Sequence, residues 1–251
     1  MEAGAAEQAR PLGVSRVPMR NTLPAKTAAD ALHTFYSTLC KAYGPQHWWP
    51  ARTRFEVIIG AYLTQATAWA SVERSIANLR RAGCLSLDGL RRTPSSQLQA
   101  LIRPSGFARR KAASLRAFVS FLDAQHGGSL DRLRRQNQVQ TRQQLLALPG
   151  VGPETADAIL VYALGHPAIV IDTYLRRVAH RHGLIPATAE RFDPELRSAA
   201  EEMLSARAPE SALACAQEFH AVIVEVGKRH CRVTAQCEGC PLQKFLPESR
   251  G

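Results

Sequence analysis

From Thr27 onward, apolar residues return at intervals of three and four positions, the repeat of a helix with one face against a core. Leu115, Phe118, Val119 and Leu122 follow it at i, i+3, i+4 and i+7. Phe55 to Leu63 differs: it is apolar on nearly every side and predicts a helix enclosed at the centre of a bundle. Thr53 followed by Glu56, and Thr141 followed by Gln144, fit the capping box, in which two side chains satisfy free backbone N–H groups at a helix start. Thr93 before Pro94 predicts an N-cap with proline at the first helical position. The short apolar run Ala168 to Ile171 has the look of a strand, but a run of that length between helices establishes no sheet. The pattern therefore predicts an all-α protein. Residues 1–26 have no periodicity, are rich in Ala, Arg, Gly and Pro, and are expected to form a flexible N-terminal segment.

Composition adds a partner. With 251 residues and 45% hydrophobic content the chain can bury a substantial core, and 32 Lys plus Arg against 21 Asp plus Glu leave it at +11. That excess points to a polyanion, nucleic acid foremost. No apolar run approaches the roughly 20 residues of a membrane-spanning helix, and Met1 to Lys26 contains no continuous apolar stretch of the kind an export signal needs. A cytoplasmic protein, associated with the nucleoid through DNA, is expected. Cys40, Cys84 and Cys215 are scattered while Cys231, Cys237 and Cys240 cluster, unlike a secreted disulfide framework.

The most informative stretch is Leu145 to Leu160, two helical segments joined by a tight turn holding Gly150 and Gly152. Such glycines admit backbone conformations closed to other residues and let N–H groups approach a phosphate, beside the partly positive start of the second helix. Leu148, Gly150, Val151 and Gly152 are the DNA-contact candidates. Pro153 removes one N–H from the set. A turn that merely packs two helices has the same signature.

Position breaks the tie. Val170-Ile171-Asp172-Thr173-Tyr174 lies downstream of the hairpin, followed by Arg176 and Arg177, and the arrangement resembles the endonuclease III-like (HhH-GPD) superfamily of DNA glycosylases from about His47 to Leu242. The resemblance implies a two-lobed helix-hairpin-helix fold: a six-helix barrel over 53–163, and a second lobe from 27–52 and 164–251 with the cysteine loop. It implies that Asp172 is the catalytic carboxylate, stabilising positive charge on the sugar as the base leaves and activating water. Read alone, Asp172 beside Thr173 is better explained as a helix-capping aspartate. At Glu154, superfamily members that also nick the backbone carry a lysine whose amine attacks the sugar. Glutamate cannot do so, which implies a monofunctional enzyme, with Glu154 lining the pocket or sitting as a solvated first-turn acid.

All three tryptophans, Trp48, Trp49 and Trp69, fall close together in sequence. Tryptophans plug core gaps, but they also stack on a flipped base, and best on a cationic one. Trp48-Trp49-Pro50, Leu63-Thr64-Gln65, Arg103-Pro104-Ser105-Gly106-Phe107 and the hairpin together resemble the bacterial 3-methyladenine DNA glycosylase III branch. That resemblance implies a base pocket of Trp48, Trp49, Pro50, Trp69 and Glu154, and places Gln65 at the DNA interface as a wedge, where a helix-surface glutamine is the plain alternative. It implies excision of alkylated purines such as 3-methyladenine from double-stranded DNA by a monomer. Oxidised or mismatched bases are the alternative substrates, and a noncatalytic DNA-binding module is the alternative of another class.

Cys231-x5-Cys237-x2-Cys240 resembles the loop that holds a four-iron, four-sulfur cluster in many endonuclease III relatives. Leu246 stands where the fourth cysteine is expected. His230 or Cys215 are the remaining candidates to complete a site, neither in the family's position. Catalysis is expected to need no cofactor, with an incomplete cluster site.

Overall fold

The structure, a computed structural model, describes residues 27–46, 48–49, 51–185 and 194–247. The expectations for residues 1–26 and for Pro50 lie outside the described residues. Every element among those residues is helical, with one isolated antiparallel bridge between Cys231 and Ala235. Ala168 to Ile171 is a buried connection without regular secondary structure and joins no sheet.

Helix α2 (Arg54–Leu63) is buried at every position from Phe55 to Leu63, as its unbroken apolarity predicts. Around it pack α3 (Trp69–Arg81) and α6 (Ala108–His126), whose Leu115, Phe118, Val119 and Leu122 all face the core. On its other side lies the π-helical turn Ile159–Leu164 that continues α9 (Pro153–Ala158). The short helices α4 (Leu87–Arg92) and α5 (Ser95–Leu101) pack on α6, and α7 (Leu130–Arg134) and α8 (Gln138–Leu146) lead into the hairpin. The second group of helices comprises α1 (Ala28–Tyr43), α10 (Thr173–Arg181), α11 (Pro194–Ser205) and α12 (Pro209–Arg229). Helix α12 packs on the other three and also on the π turn, so it lies where the two groups meet.

The caps correct the sequence reading in three places. Thr53 does accept the Glu56 N–H at 3.1 Å, but the Glu56 carboxylate turns to Arg80 at 2.5 Å instead of back to Thr53, so only half of the box forms. Thr141 lies inside α8; the cap is Asn137, whose side-chain oxygen accepts the N–H groups of Val139 and Gln140 at 2.9 and 3.3 Å. Thr93 ends α4, donating its hydroxyl to Gly89 O at 2.7 Å, and α5 begins after Pro94 with no side-chain cap. A complete box forms instead at Thr27 and Asp30, through two 3.1 Å bonds.

Two buried polar clusters fix the loops that reach the site. The Lys111 ammonium, 2% exposed, donates to Leu63 O, Thr67 Oγ1 and Ser105 O at 2.7, 2.7 and 2.8 Å. It thereby ties the α2–α3 turn to the short 3₁₀ turn Arg103–Ser105. Asp157 on α9, wholly buried, takes Arg142 of α8 and Arg197 of α11, each at 2.7 Å, and so joins the hairpin to the second group of helices.

Candidate active site and DNA interface

The hairpin turn runs from Leu148, half-buried, to Gly152, with Val151 buried beneath it and its N–H bonded to Leu148 O at 3.2 Å. Gly150 has φ +79°, and a Cβ there would collide with Ser114 Oγ, so this position needs glycine twice over. Gly152 corrects the reading that both glycines are conformationally required: its φ of −95° suits any residue, and a Cβ would meet nothing within 4 Å. Both glycines are exposed, leaving the backbone of the turn open to a ligand as large as a phosphate.

Gln65 reaches this turn from the other side. Its amide donates to Gly150 O at 2.8 Å and Thr155 Oγ1 at 3.0 Å. It occupies the α2–α3 turn, where Ala66 adopts φ +49°, and its side chain is bonded to the hairpin instead of standing as a plain surface glutamine.

Behind the hairpin opens a cavity of about 470 Å³, within the size range of small-molecule sites. Trp48, Trp49, Gln65, Trp69, Glu154 and Asp172 all line it. The tryptophans form a connected wall, Trp48 and Trp49 with ring centroids 5.8 Å apart and Trp49 and Trp69 5.9 Å apart at 84°. Trp69 is oriented by its indole N–H, which donates to Glu73 at 2.9 Å. Trp49 is held against Tyr162 at 4.9 Å and lies over Gly60 of α2, where a Cβ would sit only 3.3 Å from the ring. Glu154 stands exposed in the first turn of α9, at the mouth of the cavity.

Asp172 is both of the things its sequence context allowed. It is the N-cap of α10, its Oδ1 accepting the Leu175 N–H at 2.8 Å, and at 6% exposure it borders the cavity. Its Oδ2 lies 3.6 Å from His220 Nε2.

The sequence reading missed His220, Tyr162, Tyr174 and Lys228, which complete the lining or its support. His220 Nδ1 lies 2.8 Å from the Tyr162 hydroxyl, whose pKa burial pushes up. Lys228 holds its ammonium 5.7 Å from the centre of the Trp48 ring. Tyr174 packs over Gly227, where a Cβ would strike its ring. A signal existed: His220, Val224 and Lys228 recur every fourth residue along one face of α12, and all three line the cavity. Tyr162 had none, because its direction depends on the π turn.

The three clustered cysteines share a second, smaller pocket with Arg181, His230 and Leu246. Arg181 donates to Cys231 Sγ at 3.2 Å and to Val233 O at 2.7 Å, and burial pushes the Cys240 thiol up. Leu246 forms part of the wall. Among the described residues no group of three or more His, Cys, Asp or Glu is placed to hold a metal ion. The donors do not fit a four-thiolate cluster. Cys215 is buried elsewhere, beside Tyr36.

The sequence model of the "HhH-GPD superfamily base excision DNA repair protein" family matches residues 59–202, which spans the hairpin, Asp172 and most of the cavity wall. The chain belongs to this superfamily. A Methanocaldococcus jannaschii protein named "Putative DNA repair glycosylase MJ1434" is 38% identical over 217 residues, 86% of this chain and 96% of that one. Among solved structures, a trapped endonuclease III–DNA covalent intermediate superposes with a TM-score of 0.72 at 23% identity, covering 88% of this chain and 96% of that one. That likeness shows the two-lobed fold. A 3-methyladenine DNA glycosylase of H. pylori bound to 1,N6-ethenoadenine superposes with a TM-score of 0.66 at 27% identity, covering 81% and 98%. No helix among the described residues is long and apolar enough to cross a membrane.

Proposed function

We propose that this base excision repair protein is a monofunctional DNA N-glycosylase that removes alkylated purines such as 3-methyladenine from double-stranded DNA and leaves an abasic site. The observation that carries the reading is one cavity bounded by the three tryptophans, by Asp172 and, at the hairpin, by Glu154. A duplex held at the hairpin backbone presents a flipped nucleotide to this cavity, where the base stacks on indole rings and the sugar faces the carboxylate. As the C1′–N bond breaks, its electron pair leaves with the base and positive charge grows on the sugar; Asp172 stabilises that charge, and water adds at C1′, giving up a proton to the carboxylate. A purine alkylated at N3 or N7 is cationic in the nucleotide, so it leaves without much help from an acid, and indole faces favour it over a neutral base. Glu154 offers no amine for a covalent link to the sugar. The likeness to the H. pylori enzyme supports this substrate class.

The test is to incubate the protein with methylated duplex DNA and identify the released bases. Release of 3-methyladenine with no borohydride-trapped protein–DNA adduct is the expected result. Oxidised and mismatched bases belong in the same panel; their release with alkylated purines left intact, or an adduct forming as fast as base release, would overturn the proposal.

A further inference from the structure

Asp172 has one oxygen committed to the fold and one facing the site. Its Oδ1 caps α10 through Leu175 N–H, and its Oδ2 has His220 Nε2 as a neighbour at 3.6 Å. Both side chains are nearly buried, at 7% and 8% exposure. The imidazole is held from two further directions: Nδ1 lies 2.8 Å from the Tyr162 hydroxyl, and Trp48 stands edge-to-face at 5.1 Å and 72°. We infer that His220 is a positioning residue for Asp172, donating its Nε2–H to Oδ2 and fixing the plane of the carboxylate, with Tyr162 setting which imidazole nitrogen holds the proton. The inference rests on the reading of Asp172 as the catalytic carboxylate.

Proton counting supports it. The phenol has a single proton, and two acceptors compete for it: His220 Nδ1 at 2.8 Å and Gln217 O at 3.2 Å. If the phenol donates to Nδ1, the neutral imidazole has its proton on Nε2. If it donates to Gln217 O, Nδ1–H donates to the phenol oxygen, and Nε2 is bare unless the ring is cationic. A bare Nε2 would direct a lone pair at a carboxylate oxygen between two nearly buried side chains. Both remaining states place a proton on Nε2, aimed at Oδ2. A separation of 3.6 Å exceeds a hydrogen bond, and catalytic contacts of this kind tighten when substrate binds. A carboxylate held at both oxygens keeps its geometry as the sugar arrives, while one held only by the helix cap is free to tilt about that single bond.

Two measurements on the full chain test this. A long-range ¹H–¹⁵N spectrum of the histidine rings, with His220 assigned by its loss in H220L, reads the tautomer directly. A protonated Nε2 is expected, and a bare Nε2 overturns the inference. Single-turnover base excision is then compared in wild type, D172N, H220L, H220N and H220Q. Misplacing a reacting group by about 1 Å costs roughly a hundredfold, so H220L and H220N should lose on that order while abasic-DNA affinity holds. H220Q places an amide N–H near the Nε2 position and should recover to within about tenfold of wild type, a rescue that a space-filling role does not predict. H220L at the wild-type rate beside an inactive D172N, or H220Q as slow as H220L, overturns the inference. D172N as fast as wild type would instead remove the reading of Asp172 itself, and the role of His220 with it.

Discussion

At the scale of single residues, the candidate site is built from side chains that each serve the fold and line the cavity together. Asp172 caps a helix with one oxygen and borders the cavity with the other. Trp69 is fixed by Glu73, and Trp48 by His220, so each ring arrives with little freedom left to lose. Replacing Trp48 or Trp69 with alanine removes a stacking surface of about 1–3 kcal/mol per base. Excision of 3-methyladenine should therefore fall about 10- to 100-fold, while affinity for abasic DNA, which has no base to stack, stays near wild type; quantitative binding and single-turnover assays check both. Lys111 yields a pH prediction. Burial lowers its pKa from 10.5 to about 8. Between those values the unfolded chain still holds a proton that the folded chain has released, so this group makes stability rise as pH rises from about 8 towards 10.5. Lys111→Met should abolish that slope in denaturant titrations at stepped pH. At neutral pH it should cost about 2–3 kcal/mol, because Leu63 O and Ser105 O lose their donor.

At the scale of elements, what was legible in the sequence was what a local rule determines. The enclosed α2 and the one-faced α6 follow from periodicity, because burial of a helix face depends on spacing alone. The caps were legible only in part. A threonine followed three residues later by an acid or amide occurs inside helices as well as before them, and at Thr141 the competing Asn137 upstream wins the first turn. His220 and Tyr162 stayed invisible for a different reason: their meeting with Asp172 joins α12, a π turn and the cap of α10, and the π turn shifts register by a residue against any helical count. The hairpin turn itself was legible, though only Gly150 of its two glycines is conformationally required. Gly150→Ala should cost about 1–2 kcal/mol for a left-handed non-glycine residue, with more from the contact with Ser114. Chemical denaturation should register that loss. Binding to undamaged duplex should weaken in the same variant, since the turn must shift to admit the methyl group, and unchanged binding would argue that the turn only packs helices.

At the scale of the molecule, the two groups of helices are joined where the site lies. Helix α12 packs against both, and Asp157 clamps the hairpin to α11 through Arg142 and Arg197. Removing Asp157 leaves the partly buried Arg142 guanidinium unpaired and Arg197 with only the exposed Glu201, at 3.6 Å. Asp157→Ala should therefore destabilise the fold by about 3 kcal/mol, visible as a lowered unfolding midpoint. The net charge of +11 acts over a longer range than any of these contacts. Binding a duplex through backbone phosphates releases condensed counterions, and each phosphate neutralised contributes to the salt dependence. A footprint of about five phosphates predicts a loss of affinity on the order of a few hundredfold between 50 and 200 mM salt. The same loss should appear for damaged and undamaged duplex, because stacking of a flipped base in a tryptophan-walled cavity involves no counterion. Fluorescence anisotropy across a salt series on both duplexes measures the two slopes. Parallel slopes separated by a constant offset would assign the grip to the charged surface and the hairpin backbone, and selectivity to the cavity. A slope that steepens for the damaged duplex would mean that base flipping recruits further phosphate contacts from the second group of helices.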